Sequence, residues 1–205
     1  MQGEYKIMNI YNITDQMNPN TPLIPLDPNN VQYIVTHHPE AKICTWQDIN
    51  QWHKEQGWNC GGYNEFIRKN GDVYIMRGMN IGAQCLNYNS KSYGICCEGD
   101  YGIETDMPES QKISLIERIR DLKPNFPNFK LVVPHKQFCD TECPGKNFPL
   151  VEILKKIEVI NVTTAEAMQI LADKGVIASP EYWIKVLDTV KNFDQLIINM
   201  AQKLK

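Results

Sequence analysis

The segment Ser92-Tyr93-Gly94-Ile95-Cys96-Cys97-Glu98 constrains the fold of this chain more than any other. It is nearly continuous in small and apolar residues, where a strand with one wet face would alternate. It therefore predicts a strand covered on both faces of its sheet. Other segments supply partners. Val31-Gln32-Tyr33-Ile34-Val35-Thr36-His37 has the β-branched and aromatic content of a strand, and residues 63–67 read as another. Lys69-Asn70-Gly71-Asp72 is a hairpin turn into a strand over residues 73–77. Leu131-Val132-Val133-Pro134-His135 is a short strand that Pro134 places at a sheet edge or a strand end.

Helices fall between these strands. Thr45-Trp46-Gln47-Asp48 predicts a capping box opening a helix through Gln56, with Gly57 at its C-terminal cap. Residues 110–122 carry Ile113, Ile116 and Ile119 at helical spacing, and residues 150–158 form a further helix. This alternation predicts an α/β domain over residues 1–160, with a mixed central β-sheet flanked by helices. Residues up to about Asn30, rich in Asn and Pro, read as an extended arm.

Beyond Ile160 the pattern becomes that of a small C-terminal three-helix module, residues 161–205. The first helix starts at Thr163 or Thr164 and ends at Lys174-Gly175. The second opens at Ser179-Pro180-Glu181 and carries Trp183, Leu187 and Val190. The third, capped by Asn192, carries Phe193, Leu196, Ile197 and Met200 on one face. Three short helices make a marginal core. The two stripes either close on each other and on the larger domain, serve as an anchoring module, or form a homodimer contact.

Composition excludes several classes. No stretch approaches the ~20 apolar residues of a membrane span, so no membrane partner is expected. The net charge of −3, with acids and bases interspersed, offers no basic face for nucleic acid. The N-terminus lacks a basic region followed by an apolar core, which predicts synthesis in the cytoplasm without a signal peptide. The seven cysteines are then expected to be mostly buried thiols, with one as a ligand or nucleophile, because a disulfide framework needs an oxidising compartment.

His37 ends one predicted strand, His135 ends another, and Cys143 follows in Cys139-Asp140-Thr141-Glu142-Cys143-Pro144-Gly145. Two imidazoles and a thiolate, with a fourth position left for water, form a catalytic zinc set. His37 and His38 face opposite ways on a strand, so they do not bind one ion together. Bland readings stand beside this one: a strand-end histidine is more often a surface or hydrogen-bonded residue, Cys143-Pro144-Gly145 can be a turn with a buried thiol, and His53 reads as structural. A cysteine hydrolase using Cys143 with His135 is a third reading, though it leaves the histidine pair idle.

The order of motifs adds a resemblance. Ile34-Val35-Thr36-His37-His38 resembles the opening of the type 2 amidases, the family of phage lysozyme-like amidases and animal peptidoglycan recognition proteins. Trp52-His53-Lys54-Glu55-Gln56-Gly57-Trp58 and Gly62-Tyr63-Asn64-Glu65-Phe66-Ile67 are similar to its next stretch, and Asn70-Gly71-Asp72-Val73-Tyr74 through Arg77 to the one after. Gly82-Ala83-Gln84, Asn89, Ser92-Tyr93-Gly94-Ile95, then Val132-Val133-Pro134-His135 and Thr141-Glu142-Cys143-Pro144-Gly145 complete the series. The departures are Gln84, where many members have histidine, Asn64, which replaces another, and Cys96, where some bacterial members carry a catalytic glutamate.

The resemblance implies a zinc-dependent N-acetylmuramoyl-L-alanine amidase acting on bacterial peptidoglycan, with one Zn2+ per chain on His37, His135 and Cys143. It places Tyr63 beside the metal and Thr141 near the scissile carbonyl. Activated water would attack the lactyl carbonyl, with the hydroxyl of Tyr63 or Thr141 stabilising the oxyanion. Glu98 and Glu65 are the candidates for proton transfer, and each can equally be a solvated surface acid. A compact amidase of this kind, with a short appendage, reads as a phage endolysin that reaches the wall after membrane permeabilisation. A bacterial autolysin and a non-catalytic peptidoglycan recognition module are the alternatives.

Overall fold

A computed structural model of the protein describes residues 8–158, 164–178 and 183. The chain divides into two compact units, Met1–Ile157 and Glu158–Lys205. The larger unit is built on a six-stranded mixed sheet. Its strands are β1 (Ile10–Asn12), β2 (Tyr33–His37), β3 (Glu65–Ile67), β4 (Val73–Ile75), β5 (Ser92–Cys97) and β6 (Leu131–Pro134), ordered β1-β4-β3-β5-β2-β6. The β3–β4 pair is antiparallel, joined by the turn in which Gly71 has φ 90°. The other pairs are parallel.

The doubly covered strand is β5, whose six residues are all buried. One face of the sheet carries α2 (Glu109–Leu122) and α3 (Leu150–Glu158); Ile34, Ile67, Tyr93, Ile95, Leu115, Ile119 and Ile153 pack there. The opposite face carries α1 (Trp46–Glu55), with Ile49, Phe66, Met76 and Cys96 in its core. The expected capping box is formed: Thr45 Oγ1 accepts from the Asp48 amide at 3.2 Å, and Asp48 accepts from the Thr45 amide at 2.7 Å. Gly57, at φ 82°, closes the helix.

Two expectations are corrected. The N-terminal arm is not merely extended, because Ile10–Asn12 adds β1 in parallel to β4 at the sheet edge. The strand expected from Tyr63 begins only at Glu65. Asn64 interrupts regular pairing: its carbonyl accepts from both Met76 N and Gly78 N, at 2.9 and 3.1 Å, as in a bulge.

In the smaller unit, α4 (Thr164–Asp173) packs Ala167, Met168 and Leu171 against Ile170, Ile177 and Trp183, and Gly175 follows it at φ 70°. The helices expected after Ser179 and after Asn192 lie outside the described residues.

Candidate metal centre

β2 and β6 run parallel and adjacent, so their C-terminal ends meet on one side of the molecule. His37 is the last residue of β2, and His135 follows the last residue of β6, where Pro134 ends the strand. Their rings lie 4.5 Å apart, centroid to centroid. The chain then turns back: Lys136 N donates to the Cys143 carbonyl at 3.0 Å, and Cys143 N donates to Thr141 Oγ1 at 3.2 Å. Gly145, at φ 95°, lets this turn pass against the Tyr101 backbone, where a Cβ would approach to 2.3 Å. The result sets Cys143 Sγ 3.8 Å from His37 Nδ1. The amide of His38 donates to the same sulfur at 3.5 Å.

One ligand atom from each of His37, His135 and Cys143 lies within 4.8 Å of the others. Nitrogen and sulfur ligands of one tetrahedral zinc ion sit roughly 3.6 Å apart, so the spacing suits a single ion with a fourth position open. Burial, and next the neighbouring His135, holds the pKa of His37 well below the ordinary imidazole value. Burial likewise lowers that of His135. Both rings are therefore neutral, the form that ligates metal. Burial pushes the Cys143 thiol up to about 12 in the metal-free site. An activated cysteine nucleophile needs the opposite shift, which counts against the cysteine-hydrolase reading.

Tyr63 leans on this cluster, with its ring 4.9 Å from that of His37. Burial raises its phenol well above the usual range, so it is an O–H donor at neutral pH. His53 stands behind it at 5.4 Å, stacks on Trp58 at 4.5 Å, and accepts the Gly62 amide on Nδ1 at 2.8 Å. That is a structural arrangement. His38 turns away from the cluster and accepts the Tyr101 amide on Nδ1 at 3.0 Å.

The two glutamates are not brought to the cluster. Glu65 is fully buried and accepts from Arg118 Nη2 at 2.6 Å and Nε at 2.9 Å, and from the Tyr93 hydroxyl at 2.8 Å. The irregularity at Asn64 breaks the alternation that would have put Glu65 beside Tyr63. Glu98 accepts the amides of Cys44 and Lys69 at 3.0 and 2.9 Å and pairs with Arg68 at 3.3 Å. Both carboxylates anchor secondary structure. Another expectation also changes: Cys85 and Cys139 form a disulfide, while Cys44, Cys60, Cys96, Cys97 and Cys143 are buried thiols. The bond joins the segment after Gln84 to the loop that leads to Cys143, and it removes Cys139 as an alternative thiolate ligand.

The parallel strand ends of this mixed α/β sheet thus bring together two imidazoles and a thiol that could hold one metal ion. Residues 27–146 match the N-acetylmuramoyl-L-alanine amidase family (Amidase_2), and the chain belongs to that family. Peptidoglycan-recognition protein SC2 of Drosophila melanogaster is 33% identical over 131 residues, covering 58% of this chain and 71% of the relative. The endolysin of Enterobacteria phage K11 is 30% identical over 119 residues, covering 56% and 77%. Among solved structures, N-acetylmuramoyl-L-alanine amidase LysC from Clostridium intestinale URNW matches with a TM-score of 0.66 at 33% identity, covering 74% of this chain and 98% of that one.

Proposed function

We propose that the protein is a zinc-dependent amidase that hydrolyses the bond between N-acetylmuramic acid and L-alanine in bacterial peptidoglycan. The observation that carries this reading is the His37–His135–Cys143 cluster at the strand ends, with His37 and Cys143 buried and His135 half-buried. His37, His135 and Cys143 would hold the ion. When bound, zinc supplies Lewis acidity toward a carbonyl and makes water a competent nucleophile near neutral pH.

The remaining chemistry falls to the chain's own residues. Tyr63, protonated and against His37, donates its phenolic hydrogen to the oxygen that gains charge as the carbonyl becomes tetrahedral. Thr141 Oγ1 is fixed by the Cys143 amide it accepts, and its own hydrogen remains free to donate. With Glu65 and Glu98 engaged elsewhere, Tyr63 would relay the proton, giving its phenolic hydrogen to the leaving amine and taking one from the attacking water in return.

Loaded protein should carry one zinc per chain. His37→Ala, His135→Ala and Cys143→Ala should each lose metal and activity together, while His38→Ala keeps the metal. Tyr63→Phe should retain zinc and lose roughly a hundredfold in rate, the scale of one proton-transfer or oxyanion group. Digestion of purified walls should release new N-terminal alanine without new reducing sugar ends. Wall binding with no new end groups would favour the recognition-module reading, for which the similarity to peptidoglycan-recognition protein SC2 gives some ground. The similarity to a phage endolysin supports a lytic role reached after membrane permeabilisation. Residues 161–205 are proposed as a wall-anchoring appendage, with homodimer formation as the alternative outcome of its removal.

A further inference from the structure

Behind the cluster, two complementary polar atoms are buried without a closed partner: Nε2 of His37 and Oε1 of Gln84. The residues are 1% and 3% exposed, so bulk solvent does not reach them. The side-chain amide of Gln84 lies over Gly94 of β5, which pairs with Val35, two residues before His37 on the same face of β2. Nδ1 of His37 is the atom that faces Cys143, at 3.8 Å. The ring thus presents one nitrogen to the cluster and the other to Gln84.

The orientation of that amide is dictated from outside the site. Asn64 Nδ2 donates to the carbonyls of Gly78 and Asn80, at 2.8 and 2.7 Å. Both partners are pure acceptors, so the Asn64 amide cannot be flipped. Asn64 Oδ1 must then accept, and it takes the Gly94 amide and Gln84 Nε2, each at 2.8 Å. With its NH2 turned to Asn64, the Gln84 amide has Oε1 as its unpartnered atom. The amide lies flat over β5 at Gly94, where a Cβ would come within 1.9 Å of Oε1. The backbone of Gln84 is pinned as well, its N–H donating to Asn89 Oδ1 at 2.7 Å.

We propose that Gln84, oriented by Asn64, is a positioning residue that accepts the Nε2–H of His37 and so holds Nδ1 unprotonated toward Cys143. The proposal rests on the zinc reading for its consequence, because a ligating histidine fixed by a second hydrogen bond binds metal more tightly. The tautomer itself is a property of the metal-free chain.

The test uses the full chain labelled with 15N. Long-range 1H–15N correlations on the metal-free protein above pH 7 should show His37 as the Nε2–H tautomer. Finding Nδ1–H in the wild type overturns the proposal without any variant. Gln84→Met, which removes the acceptor at similar size, should mix the tautomers and weaken zinc binding in chelator competition about 10- to 100-fold. Unchanged tautomer and unchanged zinc affinity in folded Gln84→Met also overturn it. A wild-type chain that binds no zinc but shows Nε2–H sinks the zinc reading alone and leaves the assignment of Gln84 standing.

Discussion

His53 shows what burial does to a single side chain here. Its surroundings, and next the charge of Arg77, hold its pKa down to about 4. In the unfolded chain the same imidazole takes its proton near pH 6.5. Between those values the unfolded state binds more protons, so stability is complete above about pH 6.5 and declines as pH falls toward about 4. His53→Asn, which can still accept the Gly62 amide, should flatten part of that slope in denaturant titrations run across the same window. A slope identical to wild type would place the titration elsewhere. At this scale much of the site was legible in the sequence. His37, His135, Cys143 and Tyr63 come together as their motifs imply, because motif order encodes strand ends. The Asn64–Gln84 pair was visible only as two departures from a family pattern. Its meaning depends on two backbone carbonyls, those of Gly78 and Asn80, that no side-chain motif records.

Between elements, the principal polar link across the α2 face joins Glu65 of β3 to Arg118 of α2. Glu65 is 0% exposed and Arg118 only 11%, and the other charged partner of Arg118 is the exposed Asp121 at 3.1 Å. Glu65→Gln should leave the guanidinium with Asp121 alone and cost up to about 3–5 kcal/mol in unfolding free energy. Zinc content should be unaffected, and the rate of the folded enzyme should stay within about tenfold of wild type. A loss of a hundredfold or more with unchanged stability would return Glu65 to the proton-transfer role. The elements themselves were largely readable, since α1 announces itself through its capping box and β5 through its unbroken apolar run. What was not readable has a physical cause. The two-residue period of a strand assumes regular pairing, and the irregularity at Asn64 breaks it before Glu65. β1 is three exposed residues whose only strand signal is the neighbour they pair with.

Across the whole molecule, the Cys85–Cys139 bond spans 54 residues of sequence. Loop-closure entropy for a crosslink of that length is worth up to ~4 kcal/mol, and measured values commonly fall below it. Cys85→Ser with Cys139→Ser should therefore lower the unfolding midpoint while leaving one zinc per chain. A loss of metal in that double variant would mean the crosslink holds the Cys143 loop in place. Removing residues 161–205 should leave cleavage of soluble muropeptides intact and weaken wall pull-down. A shift from dimer to monomer, with wall binding unchanged, would make the appendage an assembly element instead. The parallel pairing of β2 with β6 has a consequence of timing. A ribosome that has translated as far as residue 130 has supplied one of the three proposed ligands, and β2 is still waiting for its outer neighbour. A nascent chain that stops short of Cys143 thus lacks the proposed ligand set, which assembles only as the sheet closes.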